Sequence, residues 1–319
     1  MTFRLRAGII GAGRIGWRYD GGRWDGQRSV SHAACLDRHS DTDLVALLDP
    51  DPSACADAAT ALGPGVRITD REDGFFGLGL DLVCIASPTA LHADHLRACM
   101  ARGVRYVLME KPVTVDLEGY RALLADWAAQ VSPPRVCINY FRRVLPHVAA
   151  LRAACQARAP RGIDVIFSRG LAVNGVHLLD LVGYLLDANS APALDWVDGP
   201  LENPSFALTL GGVTVSFRGF DLPYHCIELR ATFDDGRLSL LDGGIRLEHE
   251  AREENPDYPG FYHLAAPRPL LDPEETARAM RDGTYHSLCN LLDEGQPVAS
   301  SLHSAGFAQE LLARVGATR

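Results

Sequence analysis

The feature that most constrains this chain is a short apolar run, Leu5-Arg6-Ala7-Gly8-Ile9-Ile10, that ends directly in Gly11-Ala12-Gly13-Arg14-Ile15-Gly16. A G-x-G-x-x-G hexapeptide is compatible with a plain tight turn, so its context decides. Here it follows a strand, and a second strand, Val45-Ala46-Leu47-Leu48, ends in the acid Asp49. In a dinucleotide site Gly11 makes the sharp turn, Gly13 lets a pyrophosphate approach the backbone, and Gly16 lets helix and strand pack closely. Arg14 and Ile15 complete the loop, whose unpaired N–H groups at a helix start suit phosphate. No Lys or Arg adjoins Asp49, so NAD is expected in preference to NADP; Arg14 is the residue that argues the other way.

The chain then alternates strands with helices. After Gly16, the segment Trp17 to Gly26 carries three glycines that stop the helix, and it reads as an insertion that delays the helix to about Ser31. Two Trp and a Tyr leave two roles open for it, a surface loop or a cover over cofactor or substrate. A helix over 54–62, strands over 80–86 and 104–109, helices over 91–102 and 117–129, and a strand over 135–139 follow. Near-continuous apolar strands spaced by helices imply a doubly wound parallel sheet, an α/β fold with ligands at the strand C-termini. Asp49, Ser87, Glu110, Lys111 and Asn139 all fall at such ends. At 319 residues the chain is long enough for two domains, with the boundary expected near residue 140: a dinucleotide-binding domain over 1–139 and an α+β domain over 140–319. In the latter, strands over 162–167, 205–210, 213–217, 227–233 and 237–241 with turns at Gly211-Gly212 and Asp235-Gly236 predict an open, mainly antiparallel sheet. Residues 251–273 read as a loop, and 274–294 and 304–314 as helices.

Glu110-Lys111-Pro112 at a strand end is the most informative tripeptide, because proline biases Lys111 away from helical geometry and lets its amine project from the sheet edge. With Ser87-Pro88-Thr89-Ala90-Leu91-His92 and the glycine turn, it makes the chain resemble the glucose-fructose oxidoreductase, inositol dehydrogenase and MocA family. That resemblance implies a lysine beside the nicotinamide, assigning Lys111 a catalytic role. It implies cofactor contacts for Ser87, Thr89, His92 and Glu110. The family's D-x-x-x-H-x-x-D helix motif appears here as Val173-Asn174-Gly175-Val176-His177-Leu178-Leu179-Asp180, so Val173 replaces the leading acid. His177 is the expected acid/base, and Asp180, Asn174 and Tyr184 are expected around the substrate. Tyr140, Arg142 and Arg143 follow a strand end; they suit substrate hydroxyls or phosphate, while solvated helix charges are the plainer reading. His95 reads as exposed.

A net charge of −9 argues against nucleic acid or an acidic membrane as partner, and no apolar run approaches the ~18 residues of a membrane span. Eight cysteines without C-x-x-C or metal-type clustering suit a reducing cytosol, with no metal expected. The expectation is a cytoplasmic, NAD(P)-dependent oxidoreductase of a secondary alcohol or ketone on a sugar, sugar nucleotide or cyclitol. By resemblance it forms a homodimer or homotetramer. The alternatives are a cofactor-binding sensor or scaffold, suggested by Val173, and a reductase of a non-sugar substrate.

Overall fold

The computed structural model describes residues 4–317, which fold as two compact units. The first unit holds the described residues up to Val144 together with Arg281–Ala305; the second holds Leu145–Met280 and the described residues from Gly306 onward.

In the first unit β1 (Leu5–Ile10), α1 (His32–Arg38), β2 (Thr42–Leu48), α2 (Pro52–Leu62), β3 (Arg67–Thr69), α3 (Glu72–Phe76), β4 (Leu82–Ile85), α4 (His92–Ala101), β5 (Tyr106–Met109), α5 (Leu117–Ala128) and β6 (Arg135–Ile138) build one parallel sheet in the order β3-β2-β1-β4-β5-β6. Every residue of β4 and β5 is buried, as expected of strands covered on both faces. Strand order reverses between β1 and β4, so the crevice at their C-terminal ends is the topological switch point. Capping sets the helix starts: Ser31, Asp51 and Asp116 accept from the backbone of α1, α2 and α5 in turn, with Pro52 as the first helical residue of α2.

The insertion runs along α1 and is closed on itself by Asp20, which accepts from the backbone N–H groups of Val30 and Ser31 at 2.8 Å each. Arg23 reaches Asp37 at 3.0 Å and also the Leu62 carbonyl. Leu62 ends α2. The insertion is thus tied both to the start of α1 and to the end of α2, which leaves the surface and cover readings open.

In the second unit α6 (Pro146–Ala157), β7 (Gly162–Ser168), α7 (Val176–Leu185), β8 (Leu194–Asp198), β9 (Ser205–Leu210), β10 (Val213–Phe220), β11 (Ile227–Phe233), β12 (Gly236–Leu241), β13 (Arg246–Glu254), β14 (Tyr262–Leu264), β15 (Arg268–Pro269) and α8 (Pro273–Arg281) follow. The strands form a nine-stranded sheet in the order β14-β13-β12-β11-β7-β10-β9-β8, with β15 paired to β13. Only the β7–β10 pair is parallel. Along β10 and β11, Val213, Val215, Phe217, Ile227, Leu229 and Ala231 are buried, while Thr214, Ser216, Arg218, Glu228, Arg230 and Thr232 stay exposed or half-exposed. One face of the sheet is therefore the core and the other is open. α10 (Gly306–Ala317) crosses α7 so closely that a Cβ on Gly183 would meet the Phe307 ring at 2.5 Å.

Two expectations change. Residues 251–273 are not a plain loop, since their ends pair into the sheet edge through β13, β14 and β15. The second half is also not continuous from 140: α9 (Gly283–Leu292) buries Leu288 and Leu291 in one cluster with Leu36, Leu108 and Cys137 of the first unit. Ile138 donates to the Ser300 carbonyl at 2.8 Å, so this late segment seals the edge strand β6, whose backbone groups would otherwise be unpaired.

Candidate functional site

The glycine turn meets a different requirement at each glycine. Gly11 has φ 110°, and a Cβ there would stand 2.6 Å from the Ala86 carbonyl oxygen. On Gly16 a Cβ would stand 2.2 Å from the Gly11 carbonyl oxygen, so the fold itself demands these two glycines. Gly13 is different: its backbone is ordinary and extended (φ −76°, ψ −170°), and among the described residues no atom lies within 4 Å of a Cβ placed on it. That open side is the space a pyrophosphate needs in order to approach the backbone. Gly13 and Arg14 face solvent, Ile15 is half-buried, and a π-helical turn over Arg14–Arg18 keeps the first turn of helix before the insertion departs.

Asp49 closes this turn from the side. Its two carboxylate oxygens accept from the N–H groups of Ala12 at 2.7 Å and Asp51 at 2.9 Å. A cavity of about 300 Å³ opens beside it, lined by Ile10, Gly11, Pro88, Leu91 and His95. Asp70 and Glu72 also line it, two further acids that carry no local motif in the sequence. His95 is half-buried rather than exposed: its Nδ1 lies 2.9 Å from Ser87 Oγ, and burial pushes the ring's pKa down. Thr89 is half-buried at the start of the short turn Thr89–Leu91. His92 is buried, and its ring nitrogens face the carbonyl oxygens of Pro112 at 2.9 Å and Ser87 at 2.8 Å. Its ring is committed to the main chain, tying the loop after β4 to the loop after β5.

That second loop carries Glu110 and Lys111, joined to Pro112 by a cis peptide. Glu110 Oε1 lies 3.1 Å from His32 Nε2 and accepts from Asn139 Nδ2 at 2.7 Å; the same Asn139 nitrogen is 3.2 Å from Thr284 Oγ1. Burial raises the Glu110 carboxyl, but the His32 hydrogen bond and charge, the Lys111 charge and Asn139 outweigh it and hold the pKa below the ordinary carboxylate value. For Lys111, burial pushes the amine down, Glu110 opposes that, and the Arg142 charge adds to the lowering. His32 and Thr284 escape a local reading, and Asn139 is legible only as the end of a strand, because their positions say nothing of a shared partner. One signal was legible in the sequence: of 31 basic residues, 30 are arginine, and Lys111 is the chain's one lysine. An amine can lose its proton near neutral pH when buried, and a guanidinium cannot.

Arg142 and Arg143 are buried, not solvated. Arg143 donates to the carbonyls of Ala299 at 3.1 Å and Ser304 at 3.2 Å, which explains its burial as a clamp on the returning segment. Tyr140 is among the largest fully buried side chains. In the second unit, His177 and Asp180 are both buried on α7. Val173 is exposed, in the π-helical turn Leu171–Gly175 that precedes that helix. Asn174 donates to the Ser168 carbonyl at 2.9 Å, holding the end of β7. Tyr184 lies two turns beyond His177, half-buried beneath the Arg152 guanidinium at 4.1 Å. The structure thus groups Asp49, Ser87 and the glycines, and separately Glu110 and Lys111; it gives Asn174 and Tyr184 partners within their own unit.

Residues 5–131 match the model of an oxidoreductase family with an NAD-binding Rossmann fold. An inositol 2-dehydrogenase of Rhizobium meliloti is 32% identical over 150 residues, 47% of this chain and 40% of that protein, so the match spans less than half of the relative. An oxidoreductase from Agrobacterium radiobacter, solved with NAD+, L-tartaric acid and magnesium, shares the fold at TM-score 0.71 and 16% identity, covering 99% of this chain and 97% of that one. A 3-ketoreductase from Actinomadura kijaniata, solved with TDP-benzene and NADP, does so at TM-score 0.67 and 16% identity, covering 98% and 97%. The matched residues 5–131 take in the glycine turn, Asp49 and Glu110-Lys111-Pro112, so the similarity to that oxidoreductase family lies in the first unit of the chain.

Proposed function

We propose that this chain is an oxidoreductase that moves a hydride between NAD(H) and a secondary alcohol or ketone of a sugar, sugar nucleotide or cyclitol. The observation that carries the reading is the pairing of an open-sided Gly13 turn with a half-buried lysine, the only one in the chain, at the same edge of one sheet. The residues fit a dinucleotide: the Gly11–Gly16 turn takes its pyrophosphate, Asp49 its ribose, and Ser87 and Thr89 flank it. Asp49, Asp70 and Glu72 together disfavour a 2′-phosphate, so NAD is preferred. Bound nicotinamide supplies the hydride chemistry. The protein's part is the hydroxyl proton. A lysine whose pKa is lowered by burial exchanges a proton more readily near neutral pH and, when charged, stabilises a developing alkoxide. His177 is the proposed partner in acid/base work, and Asp180 and Tyr140 the proposed substrate contacts. The open face of the second unit's sheet supports a homodimer or homotetramer, which light scattering at micromolar concentration tests.

The deciding experiment is a turnover panel of sugars, sugar nucleotides and cyclitols with NAD and NADP, followed by the absorbance of reduced nicotinamide. Turnover of at least one polyol with NAD is expected. NAD(H) binding without turnover of any of them overturns the reading in favour of a sensor or scaffold, which Val173 at the position of the family's acid favours.

A further inference from the structure

We propose that His32 is a positioning residue for Lys111, acting through Glu110: it fixes where the carboxylate sits and, by its charge, how much of that carboxylate's field reaches the amine. The proposal rests on the reading of Lys111 as the proton-handling group, but it concerns His32, which has no substrate or cofactor contact in that reading.

His32 is the first residue of α1 and has no exposed surface, amid Ala33, Ala34, Cys35 and Leu36, which are also wholly buried. A histidine in such a place must find a partner, and its Nε2 finds Glu110 Oε1 at 3.1 Å. Asn139 Nδ2 takes the same oxygen at 2.7 Å. The orientation of that amide is settled chemically, since a flipped group would set its carbonyl against the carboxylate. Two donors on one oxygen hold Glu110 in a single pose beside Lys111. The charged and titratable groups facing this chain of contacts include Cys84 from β4 and Glu110 toward His32, and Glu110 and Arg142 toward Lys111. Burial works against a charge on His32, but the Cys84 sulfur and the Glu110 carboxylate outweigh it and push the ring's pKa up to about 10. Near neutral pH His32 and Glu110 are then a cation and an anion that largely cancel, and Lys111 meets a muted carboxylate with Arg142 nearby.

Replacing His32 by Gln keeps an N–H donor and removes the charge. Glu110 then acts on Lys111 at full strength and the amine holds its proton to higher pH. Because the chain has one lysine, the effect is read without substrate or cofactor. The probe is trinitrobenzenesulfonate, which labels only neutral amines, with labelling of the Lys111 peptide followed by mass spectrometry across the titration. His32→Gln is expected to slow labelling at pH 8 by about tenfold, one unit of pKa. The same change made in a Glu110→Gln background is expected to leave the rate unchanged. An unshifted His32→Gln profile, or a shift that persists without Glu110, overturns the proposal. Should His32→Gln not fold, the wild type supplies the test: nitrogen-15 spectra of labelled histidine must show one ring that stays doubly protonated through pH 8, and a set of rings all neutral there refutes the idea. A failed turnover panel leaves this measurement intact, so the two readings fail separately. Where turnover is found, the pH limb of kcat/KM moves with the labelling midpoint.

Discussion

Substituting alanine for each glycine of the turn separates fold from ligand. At Gly16 the new Cβ would lie 2.2 Å from the Gly11 carbonyl oxygen, a backbone atom that cannot rotate away. Overpacking of that kind costs about 1–3 kcal/mol. At Gly11 the 2.6 Å approach to the Ala86 carbonyl adds to a positive φ of 110°, which costs an L-residue a further ~1–2 kcal/mol. Gly13→Ala meets no atom and keeps an ordinary φ, so its stability should stay within about 0.5 kcal/mol of wild type. The ligand reverses the ranking. A methyl group on Gly13 stands where the pyrophosphate must come, and the same overpacking cost of about 1–3 kcal/mol then falls on binding, roughly 5- to 150-fold in Kd. The assay is a thermal melt without ligand, where each kcal/mol moves Tm by about 2–4 °C in a unit of this size, beside an NAD(H) titration by tryptophan fluorescence. Gly13→Ala should melt like wild type and bind poorly, while Gly16→Ala and Gly11→Ala melt low. Wild-type affinity in a folded Gly13→Ala protein would refute the turn as a phosphate cradle.

The other predictions concern charge. Lys111→Arg keeps a cation that cannot give up its proton, so kcat should fall by about 10²–10⁴ with NAD(H) affinity little changed, and His177→Ala should fall comparably; near-normal turnover in either removes that residue from the mechanism. Lys111→Met should abolish turnover yet raise Tm, because a half-buried cation disappears; a lower Tm would show that Lys111 stabilises the fold. Asp49→Asn should weaken the preference for NAD over NADP measured as a ratio of kcat/KM, like charges a few ångströms apart being worth roughly 1–4 kcal/mol, and an unchanged ratio would assign the discrimination to Asp70 and Glu72. His32 is raised in the folded state, so its stabilisation is complete below its ordinary value near 6.5 and is lost as pH rises through about 10. Glu110 is lowered, so its contribution is present above the ordinary carboxylate value and is lost as pH falls through its folded one. Urea midpoints should therefore decline from pH 7 to pH 10 in wild type and flatten in His32→Gln, and parallel curves would contradict the charge placed on His32.

What the sequence made legible follows from where the information lies. Strands such as β4 and β5 declare themselves because burial on both faces requires unbroken apolar residues. Three-residue β3, Arg-Ile-Thr, has no room for such a pattern. The end of β13 and the edge strands β14 and β15 are held by backbone pairing around polar residues, so their composition reads as loop. Arg142 and Arg143 look solvated because the carbonyls that satisfy Arg143 lie more than 150 residues away. The return of Arg281–Ala305 to the first sheet is hidden for the same reason: an amphipathic helix shows which face it buries, not against which sheet. Around the site, the glycine turn and Glu110-Lys111-Pro112 were legible as contiguous motifs. His32, Asp70 and Glu72 come from separate elements and leave no local trace, and Asn139 is legible as a strand end but not as a partner of Glu110.

The lysine count bears on why the site has this composition. Glu110 has the His32 ring and the Lys111 amine beside it, and Arg142 adds its charge on the side of Lys111, in surroundings where charge is costly. Arg142 cannot deprotonate, and the pKa of His32 is pushed up. That of Lys111 is pushed down by burial, with the Arg142 charge adding to it and Glu110 opposing. On the reading proposed above, an arginine at this position would have no proton to exchange near neutral pH, and neither would an uncharged side chain. A titratable amine, unlike a guanidinium, suits both the electrostatics of this corner and the proposed transfer of a hydroxyl proton.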